Sequence, residues 1–427
     1  MKVGIIMKKS NIWIMNHHIA PPSIEHQNRH VWFSKYLSKK GHKVFLFCAS
    51  TVKKGSESLI KDNSKYITEK DDFGKYIIIN TRKFFGNKKN RILNMIDFYQ
   101  GLMKNYKEII NKYGSPEVIY ASSVHPLTLV AGIKIAKKLN VPCICEVRDL
   151  WPETLVEFGS LKKKSILAKL LYAGEKWIYK KADKLIFTME GGKEYIKDKK
   201  WDKEIDLNKV YHINNGIDLE AFNQNLTKNT IEDFDLTNKE TFKVIYTGTI
   251  GIPNKVDVIL KTAKLIKERG LDKIIFLIYG DGVELEKLIN YKEKNNLENV
   301  IFKNRVEKKY IPYILSNSNL NIFTGAEVEL YKYGLSLNKL FDYLASGKPS
   351  ISNMKCGKYD ILKKYDCGIT IESNDFSLLA DKIIGFYNMP PEKYNEYCKN
   401  ALIASKDFDF KKLTDNLERI FINPYNI

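Results

Sequence analysis

Short apolar runs alternate with longer amphipathic ones along this chain, and the alternation starts twice. Residues 12–15 (IWIM), 43–48 (KVFLFC), 117–122 (EVIYAS), 142–147 (PCICEV), 184–189 (KLIFTM) and 209–214 (KVYHIN) are too short for helices and rich in β-branched and aromatic residues. VGII at 3–6 has the same character. Segments with helical spacing separate most of them, such as 26–40 before Gly41 and 127–138 before Asn140. Apolar strands joined by helices make a parallel sheet covered on both faces. The rhythm begins again beyond a polar stretch, 223–240, rich in Asn, Thr and Asp. Strands are expected at 242–248, 273–282, 300–306 and 319–325, with helices at 256–270 and 310–318. A chain of 427 residues exceeds one ordinary core. The fold class is therefore α/β, built as two successive doubly wound domains.

The formal net charge is +20, much of it from Lys. Such a balance favours acidic partners: phosphates, an anionic membrane face or nucleic acid. No zinc finger, RNA-recognition or helix-turn-helix signature accompanies it, so nucleic acid is not expected as a partner. The six cysteines form no CxxC pair, and Cys143 and Cys145 alternate within one strand as small core residues. A reducing compartment, the cytoplasm, follows. Lys8 and Lys9 interrupt the first apolar run, unlike a signal peptide. No stretch reaches the ~18 apolar residues of a spanning helix. Two segments do mix Lys with apolar side chains. Residues 160–184 carry eight Lys against two acids, and 82–112 carry eight Lys or Arg against two acids. They are either the solvated faces of domain helices or a peripheral contact with the anionic inner face of the plasma membrane.

In open α/β sheets, ligands gather at the carboxyl ends of strands. Two glycine turns lie there: Gly248-Thr249-Ile250-Gly251 and Gly280-Asp281-Gly282. Neither is a GxGxxG fingerprint or a P-loop, so each is either a ligand cradle or a tight strand-to-helix turn. Residues 333–351 (YGLSLNKLFDYLASGKPSI) read as a helix stopped by Gly347. Ser336 is expected to cap it near Leu337. Lys339 in the first turn opposes the helix dipole, which makes sense if it meets an anion. Asn338, Lys339 and Asp342 share a face, with Asp342 one turn deeper as an acceptor for two sugar hydroxyls. An internal Lys339–Asp342 ion pair is the alternative.

In the first half, Arg148, Asp149 and Glu153 surround Leu150-Trp151-Pro152 just past a buried strand. They form either a site wall or an Arg148–Asp149 network that fixes the loop. His26 and His30 are one helical turn apart but lack the HExxH glutamate, so no metal site is expected. His17, His18 and Arg29 are expected near donor or acceptor phosphates. His125, at another strand end, either faces the cleft or caps the next helix.

The series NGID (215–218), YTGTIG (246–251), YGDG (279–282) and NKLFDYLASGKPSI (338–351), with GHKVFLF (41–47) and EVRDLWPETL (146–155), resembles the retaining glycosyltransferases of family 4. It is most similar to a branch that builds bacterial surface polysaccharides. The resemblance covers nearly the whole chain, in order. It implies the GT-B fold: two Rossmann-like domains facing a cleft. Residues 1–222 would bind the acceptor, 223–400 the nucleotide sugar, and 401–427 would form a helix returning to the first domain. It further implies that Asp342 stands where the family holds the ribose hydroxyls. Gly248, Thr249, Gly251, Gly280 and Gly282 would line the nucleotide and diphosphate, and Arg305 and Val306 the base. Ser336, Asn338 and Lys339 complete the donor set. Arg148, Asp149 and Lys339 are the expected catalytic residues, and His17, His18, Arg29, His125 and Glu153 the acceptor side.

Two departures stand out. Gly334 occupies the place of the family's first motif glutamate, and the usual Arg and Lys after the first strand of the second domain are missing. Lys339 and Arg148 are then the cations for the diphosphate. The implied reaction is a metal-independent, cofactor-free transfer from a UDP-linked sugar to a glycan or polyprenyl-diphosphate-linked acceptor. A catalytically silent scaffold and a sugar-nucleotide epimerase of the same fold are the alternatives.

Overall fold

In the computed structural model, residues 9–24, 28–52, 55–123 and 125–422 are described. The expected strand at 3–6, and His26, lie outside them. The chain divides into two compact units, Met1–Asn214 with Phe410–Ile427, and Asn215–Asp409.

The first unit is built on an eight-stranded sheet. Its strands are β1 (Asn11–Met15), β2 (Lys43–Ala49), β5 (Tyr66–Asp71), β6 (Gly74–Ile79), β7 (Val118–Ser122), β8 (Cys143–Val147), β9 (Lys184–Phe187) and β10 (Val210–His212). A two-stranded pair, β3 (Thr51–Val52) and β4 (Glu57–Ser58), stands apart from it. The order is β10-β9-β8-β7-β1-β2-β6-β5, and every pairing is parallel except β5 with β6. Ile12 sits between Val44 and Val118, so the central strand is apolar on both sides. The order reverses between β1 and β7, and ligands of such sheets bind beyond the strand ends at that reversal. The Phe410–Ile422 helix closes this core with Phe410, Leu413, Leu417, Ile420 and Phe421.

The second unit holds a six-stranded parallel sheet: β11 (Phe242–Thr247), β12 (Ile274–Tyr279), β13 (Val300–Phe302), β14 (Leu320–Phe323), β15 (Ser350–Ser352) and β16 (Gly368–Thr370). Its order, β13-β12-β11-β14-β15-β16, is that of a Rossmann sheet. One core lies on each face of it. Its reversal falls between β11 and β14.

The units meet in sequence earlier than expected. Asp218 caps the Leu219–Lys228 helix through Ala221 N–H (2.8 Å), and Phe222 of that helix is buried in the second core. Of the polar stretch 223–240, residues 223–228 are the end of this helix, and Phe234–Thr237 form a second, short one. The returning segment begins at Phe410 rather than 401. Residues 401–409 stay in the second unit because Ala401, Ala404 and Phe408 pack with Phe341 and Leu344.

Candidate functional site

The second unit presents both glycine turns at neighbouring strand ends. Gly248 N–H donates to Tyr279 O (2.9 Å) and Ile250 N–H to Asp281 O (2.9 Å), so the ladder continues past the strands. This contact explains the second pair of glycines. A Cβ on Gly280 would lie 1.9 Å from Gly248 O, and one on Gly282 would lie 2.3 Å from Ile250 O. Backbone packing, rather than ligand approach, excludes side chains there. Gly251 differs: its φ is −125°, and a Cβ there would meet nothing closer than 3.6 Å. Gly248 has φ 140°, and a Cβ there would lie 2.9 Å from Lys339 Nζ. The lysine therefore reaches the first turn. Thr249 is exposed beside it.

Tyr343 fixes the helix that carries this lysine. Its hydroxyl accepts from Thr247 N–H (2.8 Å) and donates to Ile322 O (3.2 Å), tying the Asn338–Ala345 helix to β11 and β14 at the reversal. Lys339 Nζ donates to Tyr246 OH (3.0 Å) and stands 4.2 Å from that ring's centre. Burial pushes its amine down to about 7. Asp342 is buried, and burial raises its carboxyl while Lys308 partly offsets this. Lys339 and Asp342 form no ion pair with each other, the alternative raised by their spacing. A desolvated cation and a desolvated carboxylate thus lie one turn apart beside a backbone turn. That is the combination a polyanion bearing hydroxyls would satisfy.

Ser336 does not cap the helix. The first helical residue is Asn338, Leu337 precedes it, and no side chain caps it. Ser336 Oγ instead accepts from Asn215 N–H (3.1 Å), while Asn215 Nδ2 donates to Asn338 Oδ1. A residue distant in sequence took the hydroxyl. Arg305 and Val306 lie beyond β13 rather than at its end. Arg305 is exposed, and Val306 packs against a core. Gly334 has φ 99°, a backbone that side chains rarely adopt, so the acid of the family pattern has no relaxed place at this position.

The first unit gathers His17 and His125 at its own reversal. Asn16 Nδ2 donates to Ser122 Oγ (3.0 Å) and bridges the ends of β1 and β7. His17 Nδ1 and His125 Nε2 are 2.9 Å apart, and both rings are buried. His17 Nε2 and His125 Nδ1 are buried without a partner among the described residues. Burial, then His18 and Arg91, lower His125 to about 3. Burial, then His125 and His18, lower His17 as well. Both rings are neutral at pH 7, so they suit sugar hydroxyls better than phosphates. His18 is exposed next to them.

Arg29 is not available to a phosphate. It is buried, donates from Nε to Glu146 (2.7 Å) and from Nη2 to Ile213 O (2.8 Å). Glu146 is itself the hub of this buried cluster. It accepts from Ser122 Oγ (2.7 Å) and Tyr120 OH and lies 3.1 Å from His30 Nε2. Burial alone would raise its carboxyl, but Arg29, His30 and Arg148 outweigh that and hold it far below the usual range. Glu153 is likewise committed, to Lys199 and Tyr172 OH (2.6 Å). Arg148 is half-buried beyond β8, its N–H bonded to Ser123 Oγ (3.0 Å). It acts on Asp149 through space, with no hydrogen bond between them. Sequence reasoning missed Tyr246, Asn215 and Tyr343; the strand and helix periods mark them only as core or loop.

Two family models match successive parts of the chain. Glycosyltransferase Family 4 matches residues 29–221. Glycosyl transferases group 1 matches residues 227–402. Over 286 residues the chain is 26% identical to the probable glycosyltransferase WbjE of Pseudomonas aeruginosa, a match spanning 64% of this chain and 67% of WbjE. Sucrose-phosphate synthase from Thermosynechococcus elongatus superposes with a TM-score of 0.70 at 16% identity, over 97% of this chain and 98% of that one. Anabaena HepE, in complex with UDP and glucose, gives a TM-score of 0.65 at 12% identity, over 96% and 98%. At such identities these structures establish the fold. With the two models matched in order along it, the chain is a glycosyltransferase of the GT-B fold, similar in its first part to Glycosyltransferase Family 4 and in its second to Glycosyl transferases group 1.

Proposed function

We propose that the chain is a retaining, metal-independent transferase of family 4. It would move a sugar from a UDP-linked donor to a glycan acceptor carried on polyprenyl diphosphate, in bacterial surface-polysaccharide synthesis. The observation that carries the donor half is the desolvated Lys339 beside the Gly248 turn, with Asp342 one turn deeper. Lys339 and free backbone N–H groups would take the charge that develops on the departing diphosphate. Asp342 would accept from two ribose hydroxyls. The bond from the sugar's anomeric carbon to the β-phosphate oxygen breaks as the acceptor oxygen bonds to the same face. The acceptor's proton passes to the departing phosphate. His17 and His125, neutral and with free ring nitrogens, would orient the acceptor, and Arg148 would add a second cation.

The test is a thermal-shift screen of nucleotide sugars, followed by transfer assays with the donor that binds. UDP or a UDP-sugar should raise the unfolding midpoint, in EDTA as well as without it. Asp342→Asn should weaken donor binding by about 10- to 100-fold, the value of hydrogen bonds to a charged acceptor. Absence of any nucleotide-dependent shift would remove the donor reading. Product of inverted anomeric configuration, read by NMR, would remove retention.

A further inference from the structure

The first unit contains a pocket of about 390 Å³ separate from the residues assigned to the donor. Leu127 and Val130 of the Pro126–Leu139 helix, Trp151 and Pro152 of the β8 loop, and Leu170 and Trp177 of the Ile166–Lys181 helix form its walls. It reaches Ser123 and Asp149, at the carboxyl ends of β7 and β8 where acceptor chemistry is expected. Its size is that of a ligand site, yet its walls are almost wholly carbon. Glu175 also lines it. That carboxyl accepts from Tyr179 OH (2.7 Å) and Tyr195 OH (3.0 Å), and burial pushes it up to about 8, so it is protonated at neutral pH.

Two further features point to a hydrocarbon occupant that bears an anionic head. The helix beside the pocket leaves Ile166 and Leu170 79% and 65% exposed, a costly face for water alone. Lys162, Lys163, Lys164 and Lys169, all exposed, fringe this face. The second feature is Gly174, in mid-helix on the pocket wall. A Cβ there would meet nothing within 4 Å, so no packing demands the glycine. A helix interior disfavours glycine by about 1 kcal/mol relative to alanine. A side chain at this position would project along the pocket wall.

We infer that this pocket takes the isoprenoid chain of a polyprenyl-phosphate-linked acceptor, with the lysine fringe facing its phosphates. The inference rests on the lipid-linked acceptor proposed above and gives that lipid a place. Binding of dansyl-labelled farnesyl phosphate to the full chain, followed by fluorescence, tests it. Saturable binding is expected, with unlabelled farnesyl phosphate competing and inorganic phosphate not. Gly174→Phe should weaken the probe by at least about tenfold, because the ring fills space the chain would occupy. Its unfolding midpoint and UDP shift should match the parent protein. Leu170→Gln, on an exposed side chain that carries no folding risk, should weaken the probe several-fold.

Equal probe binding by Gly174→Phe and the parent would overturn the assignment. So would equal competition from inorganic phosphate, which leaves only an anion site, or from oleate, which assigns the pocket to bilayer acyl chains. Dimerisation abolished by Gly174→Phe, without probe binding, would assign the face to a second copy and overturn it too. A UDP shift without probe binding sinks this inference alone. Probe binding without a UDP shift sinks the donor reading alone.

Discussion

Lys339 is a cation where two forces act against it. The helix start repels it, and burial lowers its amine to about 7 from an ordinary 10.5. The unfolded chain keeps the proton up to about 10.5. Between about 7 and 10.5 the unfolded state therefore binds more protons, and the stability of the unliganded protein rises with pH. Below about 7 both states hold the proton and the burial penalty is complete. Lys339→Met should accordingly raise the unfolding midpoint of the unliganded protein, most of all at pH 6. The same residue should do the opposite for the donor. Its charge fades as pH rises through about 7, so UDP affinity, measured by calorimetry, should fall across that interval. In Lys339→Met it should be about tenfold weaker at pH 6 and flat with pH. A UDP affinity in the parent protein that does not change between pH 6 and 8 would refute the assignment.

At the scale of elements, the two glycine turns separate by the reason each needs its glycine. Gly280→Ala drives a Cβ into Gly248 O and should cost about 3 kcal/mol or more, read by urea unfolding. Gly251→Ala meets no such obstacle. It should unfold at the parent's urea concentration and still lose UDP affinity if the turn lies against the diphosphate. Both glycines look alike in sequence, because the strand-end position that marks them is shared and the opposing backbone that distinguishes them is not. The same limit governs other residues. The apolar runs gave the strands their places, because burial on both faces demands such runs. Lys303 read as strand with its apolar neighbours, and its N–H does bond to Ile278 O (2.9 Å), but its side chain pairs with Asp233 (2.8 Å) and Asp235 (2.7 Å), which the apolar pattern does not show. Ser336 has the spacing of a cap, but Asn215 claims it from another loop. By spacing Arg29 belongs to a helix and Glu146 to a strand, and only the fold turns them toward each other. Glu146→Gln leaves that buried guanidinium uncompensated. It should destabilise the protein by about 3–5 kcal/mol while UDP binding, measured by calorimetry below the transition, persists.

On the scale of the whole molecule, the first unit is discontinuous in sequence, and its stability depends on a helix that follows the second unit. Phe410, Leu413, Leu417, Ile420 and Phe421 are all buried in its core. Phe410 meets Phe33 at 5.5 Å, edge to face, and Phe421 meets Tyr120 at 5.5 Å. Glu418 holds His42 at 2.8 Å and Lys40 beside it, fastening the helix to the loop before β2. Five buried apolar side chains at about 1.5–3 kcal/mol each amount to roughly 10 kcal/mol, comparable with the stability of a typical domain. Among the described residues, none of this segment belongs to the cores of the second unit. Ending the chain after Asp409 should therefore leave residues 1–214 without a stable core, and the protein should aggregate or lose the cooperative transition of that unit. The transition of the second unit, with its UDP shift, should survive. Calorimetry of the truncated chain reads both transitions, and supplying residues 410–427 as a separate peptide should restore the first. A truncated chain that retains both transitions unaided would show that the core of the first unit closes without its final helix.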